Sequence, residues 1–394
     1  MLSLRKFLPD PWRAVAVLGV TQILAWGTVF YTPVLILPLI AEERGFSLTF
    51  AMGGFSAGLL AAGFVAPTVG SLIDRHGGHA VMPFGSLAGA AGLVAMTYAA
   101  HPAAYVAVWI LLGAAMAASL YDPAFATLGR IFGAAARQPI TVLTLAGGFA
   151  STVSWPVTYA LLKPLGWHGT YLVYAALLAL VAAPLHAFAL PRTRAAADIV
   201  PADANAPAPQ VRPASGAAFL LLVAAFSAYA FIPSGLSAHL LAILKRAGID
   251  AATVVFIGTL FGPSQVAARL CEFIFARNIH PLMMVRFAVA LMVLAFGLLA
   301  LLGISAPVAM MFAVLFGAAN GLVTIARGAV PLALFGPAGY GRIVGRIARP
   351  SLIITALAPL AMAFVAERAS DPAALAAAAA AAVVALACFL AVTR

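Results

Sequence analysis

The sequence predicts an all-α polytopic membrane protein with twelve transmembrane helices in two parallel six-helix pseudo-repeats. Three observations predict it. Hydrophobic residues make up 64% of the 394 and charged residues only 8%, against about half and about a quarter in soluble domains, so the bilayer has to act as solvent. The apolar runs are continuous, lack the alternation of barrel strands, and reach the ~20 residues that a helix needs to cross ~30 Å of hydrocarbon. The second half of the chain also echoes the first at an offset near 203 residues.

Breaking the chain at Gly, Pro and charge clusters gives spans at 13–41, 48–73, 79–100, 103–131, 139–163, 168–190, 216–244, 251–276, 281–303, 307–335, 350–366 and 373–392. The basic start "MLSLRKFLPDPWR" precedes a run too long for a signal h-region and without an A-x-A site, so it reads as a retained first span. Pro33 and Pro38 bend that span. Ser47 is an N-capping residue for the second. The stretch "GSLIDRHGGHAV", Gly70–Val81, makes a tight charged turn into the third.

The fourth span contains "YDPAF", which also reads as an Asp cap and Pro opening a new helical piece. The fifth carries "LAGGFAS", whose small residues permit close helix contact, and a break at Pro156. "GWHGTY" enters the sixth. The connection 191–215 is rich in Pro, Ala and charge and reads as a flexible linker. It separates an N-terminal bundle, 1–190, from a C-terminal bundle, 216–394. Asp250 caps the eighth span, Gly262-Pro263 interrupts it, and Pro359 interrupts the eleventh. The last span is Ala-rich and is retained because an even count agrees with the charges.

With the N-terminus inside, fifteen basic residues fall on the inner side: Arg5, Lys6, Arg13, Arg75, Arg130, Arg137, Arg192, Arg194, Arg212, Arg277, Arg286, Arg342, Arg346, Arg349 and Arg394. Five fall outside: Arg44, Lys163, Lys245, Arg246 and Arg368. The positive-inside rule then puts both termini in the cytoplasm, and the expected location is a bacterial cytoplasmic (inner) membrane. The net charge of +11 follows this placement and does not indicate nucleic acid. Cys271 and Cys388 lie within apolar runs and suggest neither a disulfide nor a metal site.

The repeat is visible in three matches. "ERGFS" at Glu43–Ser47 returns as "RAGID" at Arg246–Asp250, with Gly45 matching Gly248. "LLGAAMAASL" at Leu111–Leu120 returns as "LFGAANGLVT" at Leu315–Thr324, and "RQP" at Arg137 is echoed by "ARP" ending at Pro350. Six spans per unit make the repeat parallel about the membrane normal, as in transporters.

With these features the sequence resembles the major facilitator superfamily. That family's signature between its second and third helices is G-x-L-x-D-R-x-G-R-K; here it stands as Gly70, Leu72, Asp74, Arg75 and Gly77, with Gly78 and His79 where basic residues are usual. The resemblance covers the whole chain and implies secondary active transport by alternating access. "AWGTVFYTPVL", "GWHGTY" and an arginine in the eighth span also look like the monocarboxylate and oxalate/formate porters. Gln265 stands where some of those carry Asp four residues before that arginine.

Ionisable residues at membrane depth mark candidate sites by default. Four occur: Asp122, Arg269, Glu272 and Arg327, and their charges sum to zero. Asp122 and Arg327 fall one residue apart through the repeat, on the fourth and tenth helices that line the central cavity in the resembling family. Arg269 and Arg327 offer forked donors to an anionic substrate. Asp122 or Glu272 would then accept a proton or hold the arginines in the empty site. A static salt-bridge cluster, or Arg269–Glu272 pairing along one helix face, accounts for the same residues without a ligand.

Further substrate-binding candidates near mid-membrane are Gln22, Trp26, Tyr31, Tyr121, Trp155, Tyr229, Gln265 and Asn320. Each also reads as helix packing or a helix–helix hydrogen bond. Histidine is the side chain whose ordinary charge change falls nearest neutral pH, and His239, toward the outer end of the seventh span, is a proton-coupling candidate or an interfacial residue. Gly70, Asp74, Arg75, Gly77 and Arg130 read as a conformational latch. Asp74 can pair with Arg130 and with the positive N-terminal end of the eleventh helix near Ser351. The half-repeat counterpart near Arg277 has the opposite sign.

No P-loop occurs, so transport would draw on a gradient. The expected function is secondary transport of a small organic anion such as a monocarboxylate, coupled to protons or exchange. The alternatives are proton-driven efflux of amphipathic drug-like compounds, with Asp122 as the proton site, and a transporter-derived receptor or sensor. No enzyme activity, cofactor or metal is expected. The expected partners are a small-molecule substrate, the lipid bilayer and a coupling proton, with the monomer as the functional unit.

Overall fold

The structure is a computed structural model that describes residues 10–192, 216–276 and 278–393. Arg5, Lys6, Arg194, Arg212, Arg277, Arg394 and all but the first two residues of the predicted linker lie outside the described residues.

The regular structure among the described residues is helical. The first crossing is α1 (Asp10–Ala25), a π-helical turn (Trp26–Tyr31) and α2 (Pro33–Arg44). The Pro33 ring has no N–H and its fixed φ suits the first position of a helix, so α2 starts there. It ends at Gly45, with φ 67°, a left-handed cap that glycine adopts without strain. Next, α3 (Leu48–His76) is capped by Ser47, whose hydroxyl accepts the Phe50 N–H at 3.1 Å. Gly77, at φ 83°, separates it from α4 (Gly78–Tyr98).

The fourth span is two pieces, α5 (Pro102–Ser119) and α6 (Tyr121–Phe132), broken at extended Leu120. Asp122 therefore lies in the first turn of α6, with Leu120 in the capping position. Then come α7 (Arg137–Gly147) and α8 (Ala150–Leu177), the latter bent at Gly166 with φ 64° and followed by π-helical turns at Leu178–Ala182 and Leu185–Ala189. The second half contains α9 (Ala217–Arg246), α10 (Ala251–Phe275), α11 (Pro281–Leu302), α12 (Ala306–Phe335), α13 (Tyr340–Arg368) and α14 (Asp371–Ala391).

Ten helical runs among the described residues are long and apolar enough to cross a membrane. The run Pro102–Ala189 has 88 residues, about 130 Å as one rod. It is broken at Gly133 (φ 57°) and Gly166 (φ 64°) into three of the predicted spans, which brings the number to twelve. The eleventh span differs from expectation. The sequence starts it at residue 350, after the inner-side Arg342, Arg346 and Arg349, yet α13 is helical from Tyr340. Arg349 lies over the Phe64 ring at 5.0 Å, so its charge sits on an aromatic face while its stem follows the helix.

The described chain divides into two compact units, 10–192 with Phe335–Arg349 and 216–334 with 350–393. Helix α13 begins in the first unit and continues in the second. Within the first, α3 packs on α5 where a Cβ on Gly113 would strike the Gly58 carbonyl. Within the second, α10 packs on α12 where a Cβ on Gly317 would lie 2.8 Å from the Phe261 carbonyl. Gly113 and Gly317 occupy the same place in the repeated stretch, and so do the capping residues. Asp250 Oδ1 accepts the Thr253 N–H at 3.0 Å, as Ser47 does for Phe50. Arg286 on α11 fastens the end of α14, donating to the carbonyls of Phe389 (3.0 Å), Leu390 (3.2 Å) and Val392 (2.7 Å).

Candidate functional site

In the first unit the sequence candidates Trp26, Tyr31, Tyr121 and Trp155 form one aromatic cluster. The Trp26 ring lies 4.9 Å from Tyr121 and 5.9 Å from Tyr31, and Tyr31 lies 6.3 Å from Trp155. Phe30 fills the gap beside Trp26 at 4.7 Å. The π-helical turn holds Trp26, Phe30 and Tyr31 on neighbouring positions, because its wider winding shifts the facing residues relative to an α-helix. Gln22 anchors the cluster. Its Nε2 donates to the Ser119 carbonyl at 2.8 Å, and its Oε1 accepts the Trp26 indole N–H at 3.0 Å. Gly147 leaves the room that the Tyr121 hydroxyl occupies. Asp122 follows Tyr121 in the first turn of α6, where the helix dipole favours a carboxylate.

In the second unit four candidates come together. The Tyr229 hydroxyl on α9 donates to Asn320 Oδ1 on α12 at 2.6 Å. Arg269 on α10 donates from Nε to the Gly321 carbonyl at 3.2 Å and from Nη2 to Gln265 Oε1 at 3.4 Å. A Cβ on Gly321 would lie 2.5 Å from the Gln265 carbonyl, so glycine is what lets α12 approach closely enough for the Arg269 bond. Arg269 is only 4% exposed and Glu272 3%. Arg327 is half-buried on α12, six residues past Gly321, about 9 Å along the helix. His239 stands apart from this group, about 15 Å along α9 from Tyr229. Its Nε2 lies 3.0 Å from the Pro359 carbonyl, so that nitrogen carries the proton of the bond.

The charged turn has its own geometry. Asp74 Oδ1 accepts the Gly341 N–H and Oδ2 the Arg342 N–H, both at 2.8 Å. These are first-turn donors of α13, which have no partner within their own helix. Gly341 is pressed against the carboxylate, since a Cβ there would lie 2.7 Å from Asp74 Oδ1, and Gly70 has the Gly341 backbone directly against it. Arg130 donates to the Asp74 carbonyl and, at 3.5 Å, to that of Arg75, tying down the end of α3. The sequence placed the α13 contact near Ser351; it lies ten residues earlier because the helix starts earlier. The proposed counterpart near Arg277 lies outside the described residues.

Sequence reasoning missed a buried polar group. His186, fully buried, lies between Thr21 Oγ1 at 2.8 Å and Ser86 Oγ at 3.1 Å. These partners are 165 and 100 residues away in the chain, and no local pattern announces them. A second chain joins Thr32, Thr158 and Tyr174 through contacts of 3.1 and 2.6 Å. Near the end of α2, Glu43 accepts the Trp167 indole N–H at 2.7 Å and faces His168 Nε2 at 3.3 Å.

Comparison with known proteins fits this architecture. The sequence model described as "Major Facilitator Superfamily" matches residues 16–348. No curated protein sequence matches the chain. Among solved structures, the human organic anion transporter MFSD10 (TETRAN) is 19% identical with a TM-score of 0.73, covering 97% of this chain and 100% of that one. The proton:xylose symporter XylE bound to 6-bromo-6-deoxy-D-glucose is 11% identical with a TM-score of 0.73, covering 97% and 96%. A bacterial homologue of the iron transporter ferroportin, in an outward-facing state, is 12% identical with a TM-score of 0.75, covering 97% and 99%. At such identities the likeness is one of fold.

Proposed function

We propose that this chain, which belongs to the major facilitator superfamily, is a secondary active transporter of a small organic anion such as a monocarboxylate. The observation that supports this reading most is the buried Arg269, held at membrane depth beside Gln265, Gly321, Asn320 and Tyr229. A guanidinium there is costly to bury, and its planar fork matches a carboxylate. Arg327, on the helix that Arg269 touches, would supply a second cation. That one fold neighbour is an organic anion transporter agrees with the reading without carrying it.

Transport proceeds by alternating access, with a proton or a counter-substrate as the driving partner and Asp122 or Glu272 as the group that answers it. The distribution of basic residues supports a cytoplasmic side for the Gly77 turn and both termini, in what we read as an inner membrane. Residues 1–190 and 216–394 act as the two functional halves, joined by the linker. Asp74 acts as a latch, and its contact with the first turn of α13 is released and remade in each cycle.

The test is uptake into proteoliposomes under an imposed pH gradient, screened over organic acids and cationic dyes. Each of Arg269→Gln and Arg327→Gln is expected to lower acid uptake by about ten-fold or more, the effect of one lost hydrogen bond to a charged group. Unchanged uptake in both variants sinks the anion reading. A preference for dyes that vanishes in Asp122→Asn would favour efflux of amphipathic compounds.

A further inference from the structure

The aromatic cluster of the first unit has a chemical bias in the way its polar atoms are used. An indole has one polar atom, a donor N–H. Trp26 gives its N–H to Gln22 Oε1 at 3.0 Å, and Trp155 gives its own to the Tyr31 carbonyl at 3.4 Å. Gln22 is itself fixed by its bond to Ser119. Neither indole therefore has a hydrogen bond to offer a solute, and what both present is π surface.

The rings converge from three crossings: Trp26 and Tyr31 from the π-helical turn, Tyr121 from α6 and Trp155 from α8. They are not sealed. Trp155 is 46% exposed, and Trp26, Tyr31 and Tyr121 are half-buried. A wall of ring faces with both indole donors engaged favours a planar ring over a hydrogen-bonding group. It also favours that ring over a saturated one of the same size, because edge-to-face and offset contacts add to what burial alone provides.

We propose that the transported solute carries a planar aromatic ring, which stacks on the wall formed by Trp26, Tyr31, Tyr121 and Trp155. The inference rests on the transporter reading above and narrows its substrate class; it is independent of the sign of the solute's charge.

Calorimetric titration of the purified full-length protein tests it with two matched pairs. Benzoate and cyclohexanecarboxylate share a carboxylate and a six-membered ring, and benzylamine and cyclohexylmethylamine share an amine. In whichever pair binds, the aromatic member is expected to bind about five-fold tighter. Trp155→Leu should bring that preference within about two-fold, and Trp155→Phe, which keeps a ring, should retain most of it. Equal binding within the pairs, a preference that survives Trp155→Leu, or no binding by any of the four compounds overturns the proposal. Aromatic preference among the amines with silent acids would remove the anion reading and leave the ring inference standing.

Discussion

In the first unit the Trp26 indole donates to a glutamine one turn back on its own crossing. At the same repeat offset of 203 residues, in the second unit, the Tyr229 phenol donates across to an asparagine on another helix. The two units carry aromatic donors at matching places and use them differently. The first engages both indole N–H groups within the cluster and leaves the rings partly exposed, so its candidate surface is largely aromatic. The second ties α9 to α12 through Tyr229 and α10 to α12 through Arg269, so its candidate surface is a fixed polar frame around a buried charge. Duplication retained the helix contacts at Gly113 and Gly317 and the caps at Ser47 and Asp250, while the chemistry at mid-span diverged.

The largest effects should come from the retained positions. A side chain at Gly113 meets the Gly58 carbonyl head-on, whereas at Gly317 the nearest backbone atom is 2.8 Å away. Both are too close for a Cβ, and backbone gives way less readily than a side chain. Gly113→Val should prevent recovery of monodisperse protein in detergent. Gly317→Val should fold with a lowered melting temperature, near the 1–3 kcal/mol that overpacking typically costs, or somewhat beyond it. Equal losses, or a greater loss at Gly317, would break the ranking and with it the claim that α3 and α5 make the closer pair.

A smaller effect belongs to Asp74. Its two oxygens each take a backbone N–H of α13, and bonds to a charged acceptor are about twice as strong as neutral ones. Asn at this position keeps one acceptor oxygen and loses the charge that suits a helix N-terminus. Asp74→Asn is expected to slow uptake by about five-fold, as ~1 kcal/mol on a barrier would, while apparent affinity stays within about two-fold. An affinity loss at unchanged maximal rate would make Asp74 a binding residue. The comparison of the units would then need a third site.

Most of the fold was legible because membrane helices announce themselves by continuous apolarity, and glycines and caps fall where they end. The start of α13 was not, since Arg342, Arg346 and Arg349 resemble a loop until their helix is seen to begin at Tyr340 with its first N–H groups against Asp74. The π-helical turn at Trp26–Tyr31 leaves no compositional mark. At the candidate site the residue types were readable, and their grouping into an aromatic set and an arginine–amide set was not. Those groupings depend on pairs such as Tyr229–Asn320, 91 residues apart. His186 was missed for the same reason.

The smallest effects separate two caps that the repeat made equivalent in place and different in chemistry. Ser47 and Asp250 each accept an N–H three residues on, at 3.1 and 3.0 Å. Ser47→Ala should cost about 1 kcal/mol, and no titrating group is involved, so the loss should be the same at about pH 7 and about pH 3. The Asp250 carboxyl is held below its ordinary value, chiefly by the Thr253 side-chain hydrogen bond and then by the Thr253 backbone N–H. A carboxylate whose folded pKa is depressed contributes stability above its unfolded value, about 3.9, and loses it as pH falls through the folded value. The melting-temperature gap between wild type and Asp250→Ala should therefore be present at about pH 7 and narrow at about pH 3. A gap that stays constant would mean that Asp250 acts through the geometry of a neutral acceptor alone. The two units would then cap these helices by the same physics despite the different residues.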